Sequence, residues 1–326
     1  TSSPDTESII GMKALVTGAA GFIGSHLSER LIEAGHDVVG LDSFTDYYAR
    51  SIKEMNVASL IQRHRFQFVE DSLSKADLGT LLDGVTHVFH LAAQAGVRKS
   101  WGANFAVYTQ LNIDATQCLL EACIEHPIER FVYASSSSVY GDTVPIPMLE
   151  TARPVPLSPY GVTKLAAEHL CMLYHASYGI PTVSVRYFTV YGPRQRPDMA
   201  FHRFLRAIRQ SEPLSLYGDG EQTRDFTFVE DAVAATISAA EHGKHGTVYN
   251  VGGGSRVSMN EVLDVMAQCT GKSPEVRRKE AQRGDMRDTF ADTTRARTEL
   301  DFVPRVILKD GILAEYQWLT SALNTL

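Results

Sequence analysis

Tyr160 and Lys164 stand four positions apart in Tyr160-Gly161-Val162-Thr163-Lys164, a spacing that puts both side chains on one face of a helix. A tyrosine hydroxyl ordinarily titrates near a pKa of about 10, too high for a base at neutral pH. A neighbouring ammonium favours the phenolate. The pair can therefore move the proton of an alcohol while a hydride leaves the carbon that carries it. The serine run Ser135 to Ser138 follows a predicted strand, and its hydroxyls can hold such an alcohol in line.

A second constellation supplies a place for the hydride acceptor. Gly18-Ala19-Ala20-Gly21-Phe22-Ile23-Gly24 lies between the first predicted strand and the first predicted helix. Glycines there permit a tight turn, close approach of a pyrophosphate to backbone N–H groups, and close packing of helix on strand. Asp42 ends the next strand eighteen residues after Gly24, near the separation expected of an acid that binds an adenosine ribose. It is followed by Ser43 and Phe44 rather than by an arginine, which favours NAD over NADP. Asp71 follows the third strand and is placed to meet the adenine. Leu91, Ala92 and Ala93 follow the fourth and let a cofactor lie close, although simple core packing explains the two alanines equally well.

The elements that must position these groups alternate along the chain. Strands are predicted at Lys13–Thr17, Asp37–Asp42, Phe66–Glu70, His87–Leu91, Arg130–Ser135 and Thr182–Tyr187, with helical segments between them. That is the pattern of a Rossmann-type α/β fold, a doubly wound parallel sheet. Longer helices are predicted at Tyr108–Glu125 and Ser158–Tyr178, then at Asp231–His242. After Tyr187 the texture changes to loops rich in Pro, Arg and Gly, and Ser258 with Glu261 forms a capping box. Tyr249-Asn250-Val251 is expected to return to the main sheet. The expected division is a flexible leader at 1–11, a dinucleotide domain at 12–187 plus about 226–251, and a smaller discontinuous α/β lobe at about 188–225 and 252–326.

Composition bounds the function. A length of 326 residues, 44% hydrophobic and 21% charged, suits an ordinary globular protein with ample core. A net charge of −7 argues against a nucleic-acid or anionic-membrane partner. No apolar run is long enough to span a bilayer. The four cysteines, Cys118, Cys123, Cys171 and Cys269, form no metal-ligand spacing, so no metal site is expected and the cytoplasm is the expected location.

Taken together, Gly18xxGxxGly24, Asp42, Ala134-Ser-Ser-Ser-Ser-Val-Tyr-Gly141 and Tyr160-x-x-x-Lys164 resemble the extended short-chain dehydrogenase/reductases, from about Met12 to the C-terminus. Within that superfamily the chain resembles the UDP-sugar 4-epimerases. The resemblance implies Ser136, Tyr160 and Lys164 as the catalytic triad, Ser138 as a second hydroxyl near the sugar, and Phe188 against the nicotinamide. It also implies that tightly held NAD takes hydride from the sugar C4 and returns it to the other face after the keto sugar has turned.

The stretch Tyr187-Phe188-Thr189-Val190-Tyr191-Gly192-Pro193-Arg194-Gln195-Arg196-Pro197-Asp198-Met199-Ala200 is similar to the UDP-glucuronate 4-epimerases, with Thr189 where galactose-type enzymes have Asn. Asp42 to Tyr48 is also similar, with Ser43 and Thr45 replacing the usual asparagines. Arg196 can then pair with the sugar carboxylate, helped by the hydroxyls of Ser137, Ser138 and Thr189; loop packing is its alternative role. Arg224 matches the family's pyrophosphate ligand and Asp285 a residue near the uridine ribose. Gln282 replaces a second pyrophosphate arginine, leaving Arg283 or Arg287 as substitutes. A UDP-glucuronate decarboxylase is the rival, but it needs a carboxylate where this chain has Ser136-Ser137-Ser138. A UDP-glucose 4-epimerase is the other alternative, and a non-catalytic dinucleotide-binding protein would not need both Tyr160 and Lys164. A homodimer through the helices at Tyr108–Glu125 and Ser158–Tyr178 is expected.

Overall fold

The computed structural model describes residues 11–322, so the leader expected at 1–11 lies, apart from Gly11, outside the described residues. Short apolar runs form the strands β1 (Lys13–Thr17), β2 (Asp37–Asp42), β3 (Phe66–Glu70), β4 (His87–His90), β5 (Arg130–Ser136) and β6 (Thr182–Tyr187). With the strand Thr247–Val251 they make one seven-stranded sheet. The seventh strand lies beyond β6, followed inward by β5, β4 and β1, then β2 and β3 at the other edge, and every pairing is parallel. The order turns back on itself between β1 and β4, which opens a crevice at the carboxyl ends of the strands, the usual ligand position in such sheets.

Burial on both faces explains the continuous apolar strands. Alternate residues feed two cores: Ala14, Val16 and Val38 pack on one side with Leu27 and Leu31 of the helix Phe22–Glu33. Leu15, Val39 and Phe131 pack on the other with Leu119 and Ala167. The expected strands agree within one residue with those observed.

Two helices frame the site. Pro159–Tyr178 begins where the Ser158 hydroxyl accepts the Gly161 N–H at 3.1 Å, has Pro159 in its first turn, and stops at Gly179 with φ 75°. The helix expected as one piece at Tyr108–Glu125 is broken instead. A turn at Phe105–Tyr108 passes through a wider π turn at Thr109–Asp114 before the helix resumes at Ala115–Ile124. The buried Asn112 side chain accounts for it. Its amide donates to the Gln94 carbonyl at 3.0 Å and to Thr163 at 2.9 Å, and its oxygen accepts the Gln94 N–H at 2.7 Å. Such π turns are frequent at functional sites.

The segments after Tyr187 carry two small ladders, Leu214–Tyr217 with Val276–Lys279 and Thr223–Asp225 with Arg256–Ser258. Helices Ala200–Gln210 and Met259–Thr270 pack on them, Leu308–Ala322 packs on those two helices, and Ser258 with Glu261 makes the capping box.

Burial leaves a mark on acid stability. Loss of solvent pushes His87 and His90 down from 6.5 to about 4 and about 3. Between those values and 6.5 the native state binds fewer protons than the unfolded chain, so stability is lost as pH falls. Thermal melting is expected to shift steadily downward from about pH 6.5 towards pH 4. A melting temperature independent of pH over that window would contradict the neutral, buried assignment of these rings.

Candidate active site

The crevice begins at the turn after β1. Gly18 has φ +73°, and a Cβ there would lie 2.9 Å from the Ala92 nitrogen. A Cβ on Gly24 would collide with the Gly18 carbonyl, so the first helix seats on the turn only without side chains. The N-terminus of that helix, at Gly21 and Phe22, faces a groove lined by Gly18, Gly21, Phe22, Ile23, Gly24, Asp42, Ser43, Asp71, Leu91, Ala92 and Ala93. A cradle stripped of Cβ atoms at a helix N-terminus fits a dinucleotide pyrophosphate. The Asp42 carboxylate accepts the N–H groups of Ala20 at 3.1 Å and Phe44 at 2.9 Å, and burial raises its pKa. Thr45, Tyr47, Tyr48 and Lys53 line the groove as well. Lys53 is nearly fully buried and donates to the Thr45 carbonyl at 2.8 Å; its only sequence signal is a cation among buried positions of the helix Arg50–Ile61.

A second cavity of about 530 Å³ adjoins the groove and is of ordinary size for a small-molecule site. Ser136, Ser137, Ser138, Phe188, Thr189, Arg196, Arg224 and Asp285 all line it. Tyr47, Ser135, Tyr160, Tyr187 and Arg196 line both spaces. Tyr160 therefore stands where a molecule in one would meet a molecule in the other. Phe188 is fully buried, packs at 6.1 Å against the Tyr140 ring, and faces the second cavity rather than the groove.

Burial dominates the electrostatics around Tyr160. Burial raises its pKa, and the groups that lower it are Arg196 first and the Ser136 hydroxyl second. Lys164 is not among them. Its buried ammonium sits 4.4 Å from the centre of the Tyr133 ring, and burial pulls its pKa down to about 7. The side chain lies against an aromatic face and lines the dinucleotide groove together with Tyr160. Ser136 caps the following turn by accepting the Ser138 N–H at 3.1 Å. The Ser135 hydroxyl donates to the buried Glu168 at 2.6 Å.

The second cavity is cationic, with Arg98, Lys99, Arg196, Arg203 and Arg224 against Asp198 and Asp285. Arg98 pairs with Asp285 at 2.6 Å and lies over the Tyr217 ring at 4.3 Å. Arg203 approaches the same ring at 5.6 Å. Arg224 donates to the carbonyls of Thr223 at 2.9 Å, Arg287 at 3.0 Å and Met286 at 2.6 Å, and makes no ion pair among the described residues. Neither substitute expected for Gln282 lines the cavity. Arg283 lies over Trp101 at 5.8 Å, and Arg287 pairs with Asp219 at 3.0 Å. Arg98 and Arg203 line the cavity instead, and nothing in their local sequence marks them because distant segments bring them in.

The family model described as the NAD dependent epimerase/dehydratase family matches residues 14–252. The chain belongs to this family. It is 47% identical over 313 residues to an uncharacterised UDP-glucose epimerase of Bacillus subtilis, covering 95% of this chain and 98% of that one. A UDP-glucuronate 4-epimerase of Thermodesulfobacterium geofontis is 36% identical, with 93% of this chain and 95% of that protein covered. Among solved structures, the UDP-glucuronic acid 4-epimerase of Bacillus cereus in complex with UDP-glucuronic acid and NAD superposes with a TM-score of 0.93. It is 44% identical over 95% of this chain and 100% of that one. This family member therefore shares the fold of a solved NAD complex.

Proposed function

We propose that this protein is an NAD-dependent 4-epimerase of a UDP-hexuronic acid, interconverting UDP-glucuronate and UDP-galacturonate. The observation that carries it is the junction of the dinucleotide groove with a cationic cavity at Tyr160 and Arg196. Relatives named as UDP-glucuronate epimerases, one of them in complex with that nucleotide sugar and NAD, support the substrate.

In this reading the turn from Gly18 to Gly24 holds the cofactor pyrophosphate, Asp42 and Ser43 the adenosine ribose, and Asp71 the adenine. Leu91, Ala92 and Ala93 allow close approach, and the buried Lys164, which makes no ion pair among the described residues, meets the second ribose. Bound NAD supplies a reversible hydride acceptor at the sugar C4. Tyr160 takes the proton of the 4-hydroxyl and later returns it, while Ser136 holds that oxygen in line. Arg196 and Ser136 oppose the rise that burial causes in the Tyr160 pKa, and a bound cationic nicotinamide ring would oppose it further. Arg224, with Arg98 and Arg203, receives the UDP pyrophosphate, and Asp285 with its Arg98 partner borders the uridine ribose. Phe188 walls the sugar end.

Arg196 and the hydroxyls of Ser137, Ser138 and Thr189 hold the uronate carboxylate away from the geometry that expels carbon dioxide. No carboxylate lies in the Ser136–Ser138 turn to drive that loss. UDP-glucose is the second reading, favoured by the pairing of Arg196 with Asp198, which leaves the sugar end close to neutral. Residues 12–187 with about 226–251 form the dinucleotide unit, and about 188–225 with 252–326 the UDP-sugar lobe. We also assign a homodimer through the helical face bearing the exposed Phe105, Val107, Val162, Leu173 and Tyr178, and a cytoplasmic location consistent with four free thiols.

Arg196→Gln should raise KM for UDP-glucuronate by about ten- to a hundredfold, the worth of one charge-assisted pair. KM for UDP-glucose should change only about two- to threefold, while kcat should fall for both sugars because Arg196 also favours the Tyr160 phenolate, and more decarboxylated product should form. Steady-state kinetics on both nucleotide sugars check this; equal KM effects on the two would remove Arg196 from carboxylate recognition.

A further inference from the structure

The guanidinium assigned to the uronate carboxylate is already engaged. Arg196 Nε and Nη2 donate to the two oxygens of Asp198 at 3.0 and 3.1 Å, a bidentate ion pair within the sugar cavity. The Tyr47 hydroxyl donates to the same carboxylate at 3.2 Å, and the Tyr47 ring lies 5.9 Å from the Arg196 guanidinium. Lys99 covers that ring at 4.7 Å. Among the described residues, Nη1 of Arg196 has no hydrogen-bond partner, so one edge of the guanidinium remains for a ligand. Burial pulls Asp198 towards its neutral form, but the Arg196 guanidinium wins and holds it below the usual carboxylate range.

Tyr47 belongs to the loop after β2 whose Ser43 and Thr45 line the dinucleotide groove. Asp198 belongs to the segment entering the helix Ala200–Gln210. The three side chains thus bridge the two halves of the site, and a full negative charge stands where the proposed substrate brings another.

We propose that Asp198 is a positioning and specificity residue that shares Arg196 with the substrate carboxylate and caps how tightly the uronate is held. The inference rests on the UDP-hexuronate reading above. A 4-epimerase must let its keto sugar turn between the two transfers, so the carboxylate has to leave one set of contacts and find another. An unshared, desolvated ion pair to Arg196 would deepen the ground state on both sides of that rotation and slow it. Asp198 keeps the guanidinium oriented and partly neutralised, which lowers the cost of release. A neutral hexose makes no demand on the pair.

The test is calorimetric binding and steady-state kinetics of the NAD-loaded Asp198→Asn and Asp198→Ala enzymes with UDP-glucuronate and UDP-glucose. Expected for both variants is a Kd for UDP-glucuronate about tenfold lower, with kcat falling by a similar factor, while UDP-glucose binding stays within about twofold. In an Arg196→Gln background the same substitutions should have no effect on the preference, because Asp198 acts through Arg196. Weaker uronate binding, equal shifts for both nucleotide sugars, or an effect that persists without Arg196 would overturn the proposal. An unaltered enzyme that failed to bind UDP-glucuronate at all would overturn the substrate reading, and this inference with it.

Discussion

Tyr160→Phe is expected to lower kcat by about a hundred- to ten-thousandfold, the usual worth of a positioned general base, with KM changed by only about two- to threefold because binding is untouched. The substitution removes one oxygen from a ring that stays where it is. That ring packs edge-on against Tyr108 at 6.2 Å, and Tyr108 is itself fixed by donating to the carbonyls of Ala95 at 2.9 Å and Gly96 at 2.7 Å. The fold therefore has no reason to respond, and thermal melting should be close to the unaltered protein. Burial raises the Tyr160 pKa and Arg196 and Ser136 oppose it, so activity carried by the phenolate should rise with pH. The residual activity of the phenylalanine variant should lose that dependence. A kcat within about fivefold of the original would remove Tyr160 from the chemistry.

Glu168→Ala is expected to cost roughly 3–5 kcal/mol of stability, because it strands a buried charge. Glu168 and Arg186 are 1% and 4% exposed and paired bidentately at 2.6 and 3.0 Å. The same carboxylate accepts the Ser135 hydroxyl at 2.6 Å. It sits one turn beyond Lys164 on the helix Pro159–Tyr178, so it ties that helix to both β5 and β6. Chemical denaturation should show the loss, and a replacement of both Glu168 and Arg186 by apolar residues of similar volume should recover much of it. A single substitution costing under about 1 kcal/mol would mean that the pair is hydrated rather than buried.

Much of this arrangement was legible in the sequence where the signal was local. The turn chemistry of Gly18 to Gly24, the apolar runs of the strands and the Ser158–Pro159 helix start each depend on neighbours in the chain. They predict β1, β2, β3 and β6 to the residue. The π turn at Thr109–Asp114 was not legible, because it depends on Asn112 reaching Gln94 and Thr163, residues distant along the chain. Arg98, Arg203 and Lys53 escaped for the same reason. Each looks like a solvated charge until the fold carries it to a groove wall. The spacing of Tyr160 and Lys164 was right as helix geometry, yet it did not reveal that Lys164 lies against Tyr133 or that Arg196 opposes the rise in the Tyr160 pKa.

The central claim is most directly tested by incubating the purified, NAD-loaded protein with UDP-glucuronic acid and identifying the products by chromatography and mass. A product of unchanged mass that elutes with UDP-galacturonic acid is the predicted result. Loss of one carbon dioxide, or no turnover while UDP-glucose is epimerised, would contradict it.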